Sequence, residues 1–226
     1  MTTVLVTRPE PGASKMTTKL IALGFDVHKL PLTKIIGLPF MVTAGPFDAV
    51  IITSPQALHH VDTSLLSLPL YAVGQACATA ATQAGFKSVK PSGGDVVQLV
   101  ETIRSNLPVN SRLLYLCGKV RRPDLETTLA DHAVTVVETY DAQIIDYPAV
   151  DLPPMDLVLL TSVQGSAQMV TLMARPELNP SFAQAQFLCL SQRIADGLAG
   201  VPSRQIHVSE KPDEDSLLNL AMQIGN

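Results

Sequence analysis

Short apolar runs alternate along this chain with stretches whose apolar residues recur every three or four positions. The runs are Val4–Thr7, Ala49–Thr53, Tyr71–Gly74, Leu113–Cys117, Val134–Tyr140, Leu157–Thr161 and Phe187–Ser191. Most have no internal polar alternation. That pattern predicts strands of a parallel sheet covered on both faces. The periodic stretches predict helices after most strands. Ser14 to Leu23 stops at Gly24, and Gln75 to Ala84 stops at Gly85, where a glycine can end a helix. Pro55 after Ser54 reads as an N1 proline behind a capping serine. Leu125 and Leu129 share one face of a helix over Pro123 to His132. Leu217, Leu218, Ala221 and Met222 do the same from Asp215 to Ile224.

The pattern also repeats. Phe47-Asp48-Ala49-Val50-Ile51-Ile52-Thr53-Ser54 returns as Met155-Asp156-Leu157-Val158-Leu159-Leu160-Thr161-Ser162, an offset of 108. Leu20 to Val27 returns as Leu129 to Val136 at 109, and Ala72-Val73-Gly74-Gln75 as Leu188-Cys189-Leu190-Ser191 at 116. Asp95 before Val97 and Leu99 is matched by Asp215 before Leu217. A period this long is too large for a solenoid and points to a duplicated α/β unit. Two Pro/Gly-containing stretches, Leu32 to Pro46 and Gln143 to Pro154, fall at equivalent places in the repeats. They are either loops inside two consecutive domains or crossings where the chain leaves one domain and later returns.

Composition narrows the function. The 226 residues fit one large domain or two small ones, and 46% hydrophobic against 16% charged residues builds a packed core. The net charge of −4 argues against a broad nucleic-acid surface. Cys77, Cys117 and Cys189 lie far apart among apolar neighbours, so buried reduced thiols are expected rather than disulfides or a metal cluster. Arg8 and Glu10 interrupt the N-terminal apolar run too soon for a secretory signal, and no apolar stretch is long enough to span a membrane. A soluble, cytoplasmic protein is expected. The adjacent His59 and His60 cannot form a metal pair on one helix face, and all five histidines read as structural or surface residues. No nucleotide-binding glycine motif occurs.

Candidate chemistry gathers at the strand-to-helix turns. Helix N-termini present free N–H groups and partial positive charge, so they take anions without basic side chains. Four such turns are Thr53-Ser54, Gly74-Gln75, Thr161-Ser162 and Ser191-Gln192. A fifth, Gly118 to Arg122, adds Lys119, Arg121 and Arg122. In parallel α/β sheets ligands sit beyond the carboxyl ends of the strands, where these turns lie. The Ser and Thr residues are also ordinary N-caps, a role compatible with anion binding.

The order of motifs from VLVTRPEPG through FDAVIITSPQAL, YAVGQACATAATQAGF, LLYLCGKVRRPDLETTL, VVETYDAQ and MDLVLLTSVQGS to CLSQRIADGLA resembles uroporphyrinogen-III synthase from end to end. The sequence departs from the common family pattern at Leu190-Ser191-Gln192-Arg193, where many members carry a threonine-rich turn. The resemblance implies two similar parallel-sheet, flavodoxin-like α/β domains facing a cleft and joined by a two-stranded linker, with the chain crossing between them twice. It places residues 1–36 and 146–226 in the first domain and 37–145 in the second. It implies a cofactor-free lyase, acting as a monomer on a linear tetrapyrrole, hydroxymethylbilane, and closing it with inversion of ring D. Tyr140 matches the family's tyrosine near the cleft and is the expected catalytic proton donor. Arg8 and the turn residues Thr53, Ser54, Gly74, Gln75, Gly118, Lys119, Arg122, Thr161, Ser162, Ser191 and Gln192 are the expected donors to the substrate's eight carboxylates. The alternatives are a non-enzymatic, two-lobed anion- or tetrapyrrole-binding protein, and a degenerate synthase domain serving a regulatory partner.

Overall fold

A computed structural model describes every residue except Met41, Thr43, Ala44, Gly45, His60, Arg122, Pro123 and Asn226. In chain order, the first segment holds β1 (Thr3–Val6), α1 (Gly12–Ala22), β2 (Asp26–Lys29) and β3 (Thr33–Gly37). Next come β4 (Ala49–Ile52), β5 (Pro69–Val73), α2 (Gly74–Gln83), β6 (Ser88–Ser92) and α3 (Val96–Asn106). Then follow β7 (Arg112–Gly118), α4 (Asp124–Thr128), β8 (Ala133–Ile144), β9 (Leu157–Leu160) and α5 (Val163–Met173). The chain ends with α6 (Asn179–Phe182), β10 (Gln186–Cys189), α7 (Gln192–Ala195), β11 (Ile206–Val208) and α8 (Glu214–Gly225).

These elements form two compact units, Met1–Lys34 with Gln143–Asn226, and Ile35–Ala142. The first unit holds a five-stranded sheet in the order β11-β10-β9-β1-β2. The second holds a six-stranded sheet, β3-β8-β7-β4-β5-β6. The β1–β2, β1–β9, β9–β10 and β10–β11 pairings are parallel, as are β4–β5, β4–β7, β5–β6 and β7–β8. The chain passes from unit to unit along β3 and β8, which are neighbours in the second sheet.

Burial explains why the central strands read as unbroken apolar runs. Val4, Leu5 and Val6 are all fully buried, and so are Ala49 through Ile52. Alternate residues feed cores on opposite faces. In the second unit Val50, Ile52, Leu114 and Leu116 enter one cluster, while Ala49, Ile51, Leu113 and Tyr115 enter the other. Gly24 and Gly85 end α1 and α2 at φ 90° and 102°, a left-handed turn that favours glycine.

The two sheets share one strand order once β3 is set aside. Ala49 pairs with Leu113 as Leu157 pairs with Val4, which reproduces the repeat offsets of 108 and 109. Each unit therefore combines one half of each repeat. One block of the sequence repeat needs correction. Ile52 pairs with Ala72 and Leu160 with Cys189, so Ala72 corresponds to Cys189, not to Leu188. A one-residue slip would move every side chain to the opposite face, and the packing confirms the shift. Ala72 lies with Ile52 in one core, as Cys189 lies with Leu160 in its own, while Leu188 packs on the other face. Gly74 then corresponds to Ser191 and Gln75 to Gln192.

Candidate active site

The parallel registers bring the strand ends of each unit to a common edge. In the second unit Ile52 lies between Ala72 and Leu116, so the turns after β4, β5 and β7 emerge side by side. Thr53, Ser54, Gly74, Gln75, Gly118, Lys119 and Tyr140 all belong to this unit. In the first unit the ends of β1, β9 and β10 align in the same way and carry Arg8, Thr161, Ser162, Ser191 and Gln192. Arg122 lies outside the described residues.

Tyr140 is the centre of the second group. It does not end its strand, as the sequence pattern suggests, because β8 continues to Ile144. A bulge between Cys117 and Gly118 sets Gly118 opposite Tyr140. The tyrosine ring lies directly over Gly118, where a Cβ would come within 2.7 Å of Tyr140 Cζ and 2.9 Å of its hydroxyl oxygen. The ring also packs against the core that contains Ala57 and Cys77. Burial pushes the Tyr140 phenol above its ordinary value, and the nearby Ser54 side chain opposes part of that rise. The phenol is therefore neutral, with its proton in place, throughout the physiological range.

The surrounding turn is held from below. Thr53 Oγ1 lies 2.9 Å from the hydroxyl of Tyr115, whose phenol burial pushes up to about 12. Ser54 Oγ accepts the Gln56 N–H at 3.3 Å and caps the turn Pro55–Leu58. That turn is a short 3-10 segment rather than an α-helix, so the macrodipole expected after Ser54 is missing. Gly74 starts α2, a full ten-residue helix, but gives its own N–H to the Gly93 carbonyl at 3.2 Å. Gln75 is exposed beside it and reaches Thr79 at 3.4 Å. Lys119 is exposed, and its N–H donates to the Tyr140 carbonyl at 2.8 Å. Arg121 is turned to Glu126 and Glu138, both at 3.0 Å, which neutralise it.

In the first unit Ser162 Oγ accepts the Gly165 N–H at 3.0 Å and caps the eleven-residue α5, the strongest helix start among the five turns. Thr161 is half-buried beside it. Ser191 precedes α7, but its hydroxyl makes no capping bond and that helix has only four residues. Its dipole is correspondingly small. Gln192 reaches Asp196 at 2.9 Å. Arg8 is not a bare cation either, because its guanidinium pairs with Glu214. Lys19 joins that pair at 2.7 Å. Burial would raise the Glu214 carboxyl, but the Lys19 hydrogen bond and the Arg8 charge hold it below its ordinary value.

Among the described residues, the expected turns that lead into helices of ten residues or more are those before α2 and α5. Sequence reasoning also missed Tyr115, Thr139 and Glu214. Glu214 lies 206 residues from Arg8, and nothing in the local pattern joins them. Among the described residues no group of three or more His, Cys, Asp or Glu is arranged to hold a metal, and no helix is long and apolar enough to cross a membrane.

Comparison with known proteins identifies what this arrangement resembles. The sequence model of the family described as uroporphyrinogen-III synthase HemD matches residues 14–219. No curated protein matches the chain. Among solved structures, the fold is similar to a uroporphyrinogen-III synthetase from Helicobacter pylori, with TM-score 0.69, 17% identity and 99% of both chains covered. It is also similar to a mutant uroporphyrinogen III synthase from the extremely thermophilic bacterium Thermus thermophilus, with TM-score 0.57, 14% identity and coverage of 99% and 98%.

Proposed function

The chain belongs to the uroporphyrinogen-III synthase family, and on that premise we propose that Tyr140 and the donors grouped with it carry the family's reaction. That reaction is the dehydrating closure of hydroxymethylbilane to uroporphyrinogen III, with inversion of ring D. The observation that supports this assignment most strongly is the placement of Tyr140. A protonated phenol stands at the carboxyl edge of a parallel sheet, clamped between Gly118 and the turn after β4.

Three tasks follow from the chemistry. The terminal hydroxyl of the substrate must gain a proton to leave as water. Tyr140 supplies it from a phenol that is neutral in the free enzyme. The cation left behind is an azafulvene, which is attacked from within the chain on the way to the ring. The flexible tetrapyrrole must also be held in a near-ring, an orientation task that removes translational and rotational freedom. Its carboxylates fall to local donors: Lys119, the α5 N-terminus at Thr161-Ser162, and the α2 start at Gly74-Gln75. Arg8, Ser191 and Gln192 contribute from turns with weaker fields. Such local donors reconcile a polyanionic substrate with a net charge of −4. In this reading the enzyme works as a cytoplasmic monomer without a cofactor.

The test is Tyr140→Phe, which removes one oxygen and keeps the ring. A positioned general acid contributes about 10²–10⁴-fold. The variant should lose kcat by at least the lower end of that range, with KM and melting temperature near those of the wild type. Unchanged kcat would reduce Tyr140 to a packing residue.

A further inference from the structure

In a regular strand, residues three apart face opposite sides of the sheet. Val137 and Tyr140 break this rule. Both pack against the core that holds Val50, Ile52, Leu114 and Leu116. The bulge explains it. Cys117 pairs with Glu138 and Gly118 with Tyr140, leaving Thr139 as the extra residue between the two pairs. Without the extra residue Gly118 would oppose Thr139. Tyr140 would then turn to the other face, where Tyr115 and Cys117 lie.

Something must hold the extra residue in place. Thr139 is only 2% exposed. Its hydroxyl lies 3.1 Å from the Ala57 carbonyl and 3.3 Å from the Cys117 carbonyl. One proton is shared between the turn after β4 and the last regular pair of β7. The hydroxyl thus ties together three pieces of backbone at the point where the register shifts.

The geometry points to Thr139 as a positioning residue: its buried hydroxyl selects the bulged register and so sets the Tyr140 ring over Gly118, beside Ala57 and Cys77, rather than in the opposite core. This inference rests on the role given to Tyr140 above. Thr139 itself does not touch the reacting atoms. It acts through the ring beside it.

The experiment uses Thr139→Val, which keeps the shape and removes the hydroxyl, and Thr139→Ser, which keeps the hydroxyl. Each is made with Tyr140 intact and in the Tyr140→Phe background. Rates are read well below the melting temperature of every variant, so that all remain folded. In parallel, the tyrosine rings are labelled with ¹³C, and the Tyr140 signal is identified by its loss in Tyr140→Phe among the chain's 4 tyrosines. Thr139→Val should shift the Tyr140 ring signal and lower kcat about 10-fold or more, the scale of a small misplacement, with little change in KM. Thr139→Ser should restore both. Thr139→Val should add no further loss once Tyr140 is Phe. A Tyr140 signal unmoved in Thr139→Val would overturn the inference. So would an equal kcat loss in the Tyr140→Phe background, which would mean that Thr139 acts by another route. If Tyr140→Phe is fully active while Thr139→Val still shifts the ring, the acid role fails and the positioning stands.

Discussion

Substituting Gly118 by alanine probes the candidate site with a single methyl group. Its backbone does not require glycine, since Gly118 is not among the positive-φ residues. What requires it is the ring above. An added Cβ would stand 2.7 Å from Tyr140 Cζ, 2.9 Å from Cε2 and 2.9 Å from the hydroxyl oxygen. Carbon atoms in ordinary contact are about 3.5–4.0 Å apart, so the ring must retreat by roughly 1 Å. A displacement of that size at a reacting group costs on the order of 10²-fold in rate. Crowding of this kind costs about 1–3 kcal/mol, partly offset by the ~0.4–1 kcal/mol that alanine contributes by restricting the unfolded chain. The variant should therefore fold. Initial rates with hydroxymethylbilane, measured beside a thermal melt, should show kcat down about 100-fold, KM within a few-fold and a modest fall in melting temperature. A kcat within about 3-fold of the wild type would refute the reasoning, because it would mean that the ring's position does not govern the rate.

Two further predictions concern charge and pH. Lys119→Ala should raise KM more than it lowers kcat, and the wild-type KM should climb with ionic strength as carboxylate pairs are screened beyond about 8–10 Å; a KM indifferent to both would shift carboxylate binding to backbone donors. Burial raises the Cys77 and Cys189 thiols to about 12 and the Cys117 thiol to about 11, from an ordinary value of 9.0. These groups are neutral in the folded chain, so their contribution is complete below about pH 9 and is lost as pH rises towards 11–12; urea titrations should show stability falling from about pH 9 to 11, and a flat profile over that range would mean that the thiols are not buried.

The parts of the fold visible in the sequence are those buried on both faces. All seven apolar runs are strands, because residues such as Val4–Val6 and Ala49–Ile52 meet core on either side. The four strands with no apolar-run signal are β2, β3, β6 and β11, and each is a sheet edge. Edge strands are covered on fewer sides, so their segments DVHK, TKIIG, SVKPS and IHV keep polar residues and show no run. Pro91 in β6 is tolerated for the same reason. At the candidate site the turn residues could be named from the strand ends, and Tyr140 from the family resemblance. Their supports could not. The Thr53–Tyr115 contact spans 62 residues and the Thr139–Ala57 bond spans 82. The bulge sets Val137 and Tyr140 on the same face of β8, and that one-residue shift follows from the pairing with β7 rather than from the order of residues in VVETY. The shortness of α7, four residues long, also leaves no mark at Ser191-Gln192, the residues that open it.

The most direct test of the account is the isomer formed from freshly prepared hydroxymethylbilane by the purified protein. Left alone, the substrate closes slowly without inverting ring D and gives the type I ring. The account predicts that the protein accelerates consumption and yields uroporphyrinogen III as the main product. Tight binding with only the slow type I product would contradict it, and would make the chain a tetrapyrrole-binding protein rather than a synthase.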